Sequence, residues 1–255
     1  MADQTQLRFN SHIGKLKPEN IVNRKAACPF CDRTQLTDVL AEAGNILLVK
    51  NKYPVLEETC QTVLIETDDC DSELSLYSTE HVHRLFDFAF AKWMEMEDSG
   101  RYASVLFFKN HGPHSGGTIR HPHMQIVGLE HVDYTERVRS EHFDGVVIDQ
   151  RPGLLFNVST HPRVGFFEFN VVLDDLDKLH TFADFTQIAA HYTLNGFHHA
   201  CNSYNLFFYH FEGRRMVKIV PRFATSPIYI GYSIPQVSNR IGEAALEIRR
   251  NYLRG

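Results

Sequence analysis

The sequence predicts an α+β fold, an antiparallel sheet with helices packed on one face. Three observations predict it. Short apolar runs are bounded by turn residues, two long stretches carry helical spacing, and the order of elements in the first half returns in the second. Identity between the halves is low, so the return is one of order rather than of sequence.

Residues 45–51 (Asn-Ile-Leu-Leu-Val-Lys-Asn) and 61–67 (Gln-Thr-Val-Leu-Ile-Glu-Thr) read as strands joined through the Pro54 turn region. Over 78–97, Val82, Leu85, Phe86, Phe90, Trp93 and Met94 fall at helical spacing, with Ser78 or Thr79 as N-cap. A strand at 103–109, a Gly-rich loop from His111 to Thr118 and a strand from His121 to about Gly128 complete the first half. In the second half, strands are predicted at 154–160 and 166–173 and a helix over 176–194. Strands near 205–211, 216–220 and 227–232 and a helix from about 238 to 253 follow.

A net charge of −5 over 255 residues argues against a protein that coats nucleic acid, but leaves room for a small basic pocket. No apolar run approaches the roughly 18 residues of a membrane span. The first ten residues are polar and lack the apolar core of a signal peptide, so a cytoplasmic location is expected. Five cysteines are an odd number for a disulfide framework. Two form the pair Cys28-Pro-Phe-Cys31, which suits a metal knuckle or a redox motif. The lead-in Asn23-Arg24-Lys25-Ala26-Ala27 is not the strand that the redox motif requires, so zinc is preferred. Cys60 and Cys201 read as small packed side chains.

The stretch 109–127 is the richest in chemistry. His121, His123 and Gln125 alternate, so a strand would present all three on one surface, either as a site or as a solvated face. Just before them, Ser115, Gly116, Gly117 and Thr118 form either an ordinary turn or a cradle of backbone N–H groups for an anion. Lys109 and Arg120 are expected to add positive charge beside it.

His121-Pro122-His123-Met124-Gln125 resembles the His-Pro-His-x-Gln signature of the galactose-1-phosphate uridylyltransferase branch of the histidine-triad superfamily. Cys28-Pro-Phe-Cys31 looks like its zinc pair, and Leu48-Val49-Lys50-Asn51-Lys52-Tyr53-Pro54 like its nucleoside-binding strand end. Lys109-Asn110 and Gly116-Gly117-Thr118 stand where that branch holds nucleotide phosphates. The resemblance implies two histidine-triad-like halves. The first, over 20–130, would be catalytic and carry the zinc; the second, over 150–255, would be degenerate, without catalytic histidines of its own.

The same resemblance implies a zinc held by Cys28, Cys31, Cys70 and His121, with His111 and His114 as alternatives for the fourth ligand. A closed Cys₃His set leaves no position for substrate, so such a metal is structural. His123 would be the nucleophile and Gln125 a hydrogen-bond partner of the phosphoryl group. Asn51, Asn110, Gly116, Gly117 and Thr118 would bind the substrate.

The second half lacks a His-x-His pair, since its corresponding strand reads Lys218-Ile-Val-Pro221-Arg222, so one active site per chain is expected. His198-His199 reads as a loop pair, with a second metal as the alternative. Residues 228–233 resemble the hexose-gripping segment of the uridylyltransferases, but Ser233 replaces the expected glutamate, which speaks against galactose 1-phosphate. The leading expectation is a nucleotidyltransferase that moves a nucleoside monophosphate between phosphorylated substrates. The alternatives are a nucleotide-sugar or dinucleoside-polyphosphate phosphorylase and a non-catalytic nucleotide sensor. Nucleotides or nucleotide sugars are the expected partners, with neither nucleic acid nor membrane, and a homodimer is compatible with the sequence.

Overall fold

A computed structural model of the chain describes residues 6–197 and 201–253; His198 and His199 lie outside them. The chain divides into two compact units, one built from residues 1–73 and 84–136, the other from 74–83 and 137–255.

The first unit holds α1 (Ser11–Leu16), β1 (Val39–Ala43), β2 (Ile46–Lys50), β3 (Thr59–Ile65), most of α2 (Thr79–Asp98), β4 (Ser104–His111) and β5 (His123–Leu129). Its strands run in the order β1-β2-β3-β5-β4, every neighbouring pair antiparallel. β2 is buried from Ile46 to Val49, as a strand covered on both faces should be. α2 begins where Ser78 Oγ accepts from the N–H of His81. It buries Val82, Leu85, Phe86, Ala89, Phe90 and Trp93, the i, i+3, i+4 stripe that the spacing predicts. Each of the large apolar side chains is worth about 1.5–3 kcal/mol of burial. Trp93 Nε1–H donates to the carbonyl of Val105 on β4 at 3.3 Å, and its ring packs on Phe107 with centroids 5.5 Å apart. In β5, Gly128 lies under the ring of Tyr102, which a Cβ would meet at 2.6 Å, so no larger residue fits.

The second unit repeats the topology with β6 (Gly145–Arg151), β7 (Leu154–Ser159), β8 (Phe169–Leu173), α3 (Leu179–Tyr192), β9 (Tyr204–Phe211) and β10 (Arg214–Pro221). Its order is β6-β7-β8-β10-β9, again antiparallel, with α3 and the terminal α5 (Ile241–Tyr252) on the sheet. The expected α+β fold of two like halves is what the structure shows. At the place where the first unit carries its Gly-rich loop, β9 and β10 are joined by a tight turn. Its residues Glu212 (φ 52°) and Gly213 (φ 72°) have the paired positive φ of a primed hairpin turn. The second unit therefore has no Gly-rich loop at that place. Lys218 is buried on β10, bonded to Glu168 at 2.9 Å and to Asn170 Oδ1 at 2.9 Å, a paired charge within a scaffold.

Residues 227–232 are helical, not the strand the sequence predicts. Ser226 Oγ accepts from Ile228 N–H, Pro227 occupies the first turn, and Ser233 closes α4 (Pro227–Tyr232) in the left-handed region at φ 55°. These caps override the β-propensity of Ile228, Tyr229 and Ile230. β1 and β6 were not predicted. Both are edge strands, with too few buried positions to show alternation, and each is interrupted by a register shift. Among the described residues, no helix is long and apolar enough to cross a membrane.

Candidate active site

Two features of the first unit meet at the start of β5. On one side of the His121-Pro122-His123 run, the ligand atoms of Cys28, Cys31, Cys70 and His121 all lie within 4.8 Å of one another. His121 Nδ1 is 3.6 Å from the Cys28 sulfur and 3.7 Å from that of Cys31. A sulfur and a nitrogen bound to one tetrahedral zinc stand about 3.6 Å apart, given bonds of roughly 2.3 and 2.0–2.1 Å. The other imidazole nitrogen, Nε2, donates to the carbonyl of Thr67 at 2.8 Å, which leaves Nδ1 as the ligand atom. The four residues therefore fit a tetrahedral metal ion.

The three thiols differ in acidity. Burial alone would raise Cys28, but hydrogen bonding to His121, to the Phe30 N–H and to its sister thiols brings it down to about 6. Burial and then the sulfurs of Cys31 and Cys28 push Cys70 up to about 12. A divalent cation would remove that mutual repulsion. Cys201 is buried and bonds the Ser203 carbonyl, and Cys60 is half-buried on β3; neither joins the cluster.

On the other side, His123 and Gln125 line a cavity of about 440 Å³, together with Asn51, Asn110, Gly116, Gly117 and Thr118. The strand register places Gln125 opposite Val63 and Val127 opposite Gln61, so the cavity runs along β3 and β5 away from His123. His121 precedes β5 and joins the cysteines, so it does not share the cavity surface expected from strict alternation. His123 is 7% exposed, and its Nδ1–H donates to the carbonyl of His121 at 2.8 Å. That bond leaves Nε2 as the lone-pair nitrogen. Desolvation lowers the His123 pKa to about 4, against the opposing pull of that same backbone bond. At neutral pH the ring is an uncharged base.

The Gly-rich loop is held at both ends. Ser115 Oγ donates to the Gly112 carbonyl at 2.7 Å and accepts from Gly117 N–H at 3.3 Å. Beyond it, buried Asn20 donates its backbone N–H to Thr118 and accepts from Arg120 N–H through Oδ1. Gly116 has φ +84°, a conformation that favours glycine. Asn51 Oδ1 accepts from Tyr53 N–H at 2.8 Å, which turns its amide N–H groups toward other partners.

The charge expected beside the loop is elsewhere. Lys109 alternates with Phe108 and Asn110 on β4, so it points to the opposite, buried face and pairs with Glu66. Arg120 pairs with exposed Asp71 and contacts the Cys70 sulfur. Lys17, Lys50 and Lys52 line the cavity instead. Burial lowers the Lys17 pKa, and its charge is among those that act on His123. Sequence reasoning missed Lys17, Asn20, Phe30 and Gln61; of these only Phe30, enclosed by two ligand cysteines, carried a signal in the sequence. His111, which burial drives to about 4, is not among the four clustered residues and feels the Lys109 and Glu73 charges.

The domain of unknown function DUF4931 matches in two parts, its N-terminal domain over residues 9–132 and its C-terminal domain over 135–253. No curated protein matches the chain. The crystal structure of a DUF4931-family protein from Bacillus cereus is 40% identical, covers 85% of this chain and 100% of its own, and superposes with a TM-score of 0.78. A uridylyltransferase structure is 16% identical, covering 89% of this chain and 91% of its own with a TM-score of 0.69. An ADP-glucose phosphorylase from Arabidopsis thaliana with bound ADP-glucose is also 16% identical, covering 92% and 98% with a TM-score of 0.67. At such identity the likeness is one of fold alone. With two family domains spanning nearly its whole length and a 40% identical relative, this chain belongs to the DUF4931 family.

Proposed function

We propose that the protein is a nucleotidyltransferase that passes a nucleoside monophosphate from a nucleotide donor to a phosphorylated acceptor through His123. One observation carries the reading. A buried imidazole is pinned through Nδ1–H to the His121 carbonyl, and its side chain lines a cavity of about 440 Å³.

His123 Nε2 attacks the α-phosphorus of the donor, and the bond from phosphorus to the leaving phosphate oxygen breaks with its electron pair. The product is a phosphoramidate, with Nδ1–H still bonded to the carbonyl. An oxygen of the acceptor phosphate then attacks phosphorus, and the P–N electrons return to Nε2. Gln125 and the N–H groups of Gly116–Thr118 meet the phosphoryl oxygens where charge develops. Lys17 offsets the negative charge of the donor, and Asn51 offers its amide to the nucleoside. Zinc is the metal that Cys28, Cys31, Cys70 and His121 would hold. It would supply no chemistry beyond a fixed His121, whose carbonyl orients the nucleophile.

Double displacement is the test. The protein charged with a radiolabelled donor and then freed of it should release the label to a phosphorylated acceptor. Inorganic phosphate and sugar phosphates, offered separately, decide between a phosphorylase and a transferase. Binding without any charging would instead favour a sensor.

A further inference from the structure

Phe30 stands between two cysteines of the metal cluster, so the knuckle fixes its backbone from both sides. Its ring meets His121 with centroids 5.9 Å apart and planes at 89°, and His123 at 5.5 Å and 70°. The same ring packs on the cluster Leu47, Val49, Val63 and Ile65 beneath β2 and β3, and forms part of the cavity wall. Among the described residues, the His123 ring has one hydrogen bond, from Nδ1–H to the His121 carbonyl. That bond selects the tautomer, and it holds only while the imidazole keeps its turn about the Cβ–Cγ bond. The edge-on Phe30 ring is a second contact on that turn.

We propose that Phe30 is a positioning residue for His123, seating the imidazole edge-on and tying that seat to the metal knuckle through Cys28 and Cys31. The proposal rests on the reading of His123 as nucleophile. It makes a distinct claim: the knuckle acts on the nucleophile along two paths, the His121 carbonyl and the Phe30 ring. An aromatic side chain inside a Cys-x-x-Cys pair could otherwise serve as core for the knuckle or as a flat wall for a base. Neither of those roles would control the orientation of His123.

The test compares Phe30→Leu, which keeps apolar bulk without a ring, with Phe30→Tyr, which keeps the ring. Four quantities are read in the full-length, zinc-loaded protein: zinc per chain, the tautomer of His123 by ring-nitrogen NMR, and the rate and the apparent KM of charging by a nucleotide donor. Phe30→Leu should keep its zinc and melt cooperatively. Its His123 spectrum should pass from one Nδ1–H tautomer to an exchange average. Charging at saturating donor should slow on the order of tenfold or more, with KM changed much less, as misorientation of a reacting group predicts. Phe30→Tyr should restore both the spectrum and the rate. A rise in KM alone, with tautomer and rate as in the wild type, would reduce Phe30 to a cavity wall. Loss of zinc from Phe30→Leu would reduce it to knuckle packing. If the wild-type protein charges with no donor, the nucleophile reading fails, and the His123 spectrum of the two variants still decides whether Phe30 orients the ring.

Discussion

The ring of His123 donates through Nδ1 to the backbone carbonyl of His121, 2.8 Å away, while the ring of His121 faces the cysteine sulfurs. Two histidines separated by one proline thus face different ways, one toward the cysteine cluster and one toward the cavity. His121→Ala should lose the metal and lower Tm by roughly 5 °C or more, because the site's binding energy is also folding energy. His123→Ala should keep its zinc and most of its stability. Elemental analysis beside a thermal melt checks both, and zinc lost from the His123 variant would exchange the two roles.

The depressed pKa of His123 has a pH signature. An ordinary imidazole, with a pKa of about 6.5, loses roughly three-quarters of its neutral form between pH 8 and pH 6. Held near 4 by burial, His123 stays neutral across that range. Charging should therefore be flat from pH 8 to 6 at constant zinc content. The linkage to stability has the matching sign. The unfolded chain takes up the proton first, so this contribution is full above about 6.5 and declines as pH falls toward 4. A fourfold drop in charging between pH 8 and 6 would contradict the assignment.

Lys109 lies behind the cavity rather than in its wall. It is 1% exposed and paired with Glu66, whose backbone N–H donates to the Pro122 carbonyl between the two histidines. Lys109→Met strands a buried carboxylate and should cost about 3–5 kcal/mol of stability. The apparent KM for a nucleotide donor should hardly change below the melting range. A large rise in KM without destabilisation would place the lysine in the cavity.

Ser233 stands where the uridylyltransferase pattern expects a glutamate, and it closes α4 as an exposed left-handed cap. A site without a partner for a sugar hydroxyl loses both binding and discrimination. Galactose 1-phosphate should therefore discharge the nucleotidylated protein poorly. Rapid uridylyl transfer from UDP-glucose to galactose 1-phosphate would show that another residue performs the task.

The α+β class, the two like halves and the order of most elements were legible because β2, β3 and β5 hold short continuous apolar runs and α2 buries a helical stripe. What escaped had physical reasons. Edge strands β1 and β6 bury too little to show alternation, and local caps turned the β-prone segment 227–232 into a helix. The proposed ligands and nucleophile carried short-range signals: a Cys-x-x-Cys pair, a His-x-His pair and a Gly-Gly turn. Lys17, Asn20 and Gln61 carried none, since only the folded chain brings them to the cavity or its loop. Lys109 was misplaced because its neighbours Phe108 and Asn110 face the cavity, and alternation sends it to the other side of the sheet.

The central claim is a covalent bond between His123 and a nucleoside monophosphate. The most direct measurement is the intact mass of the zinc-loaded protein after exposure to a panel of nucleotide sugars and dinucleoside polyphosphates. The protein should gain one nucleoside monophosphate with at least one donor. The bond should be labile to acid and stable to base, as a phosphoramidate is, and absent from a His123→Ala variant that retains its zinc. An adduct that forms equally well on that variant, or one stable to acid, would contradict it.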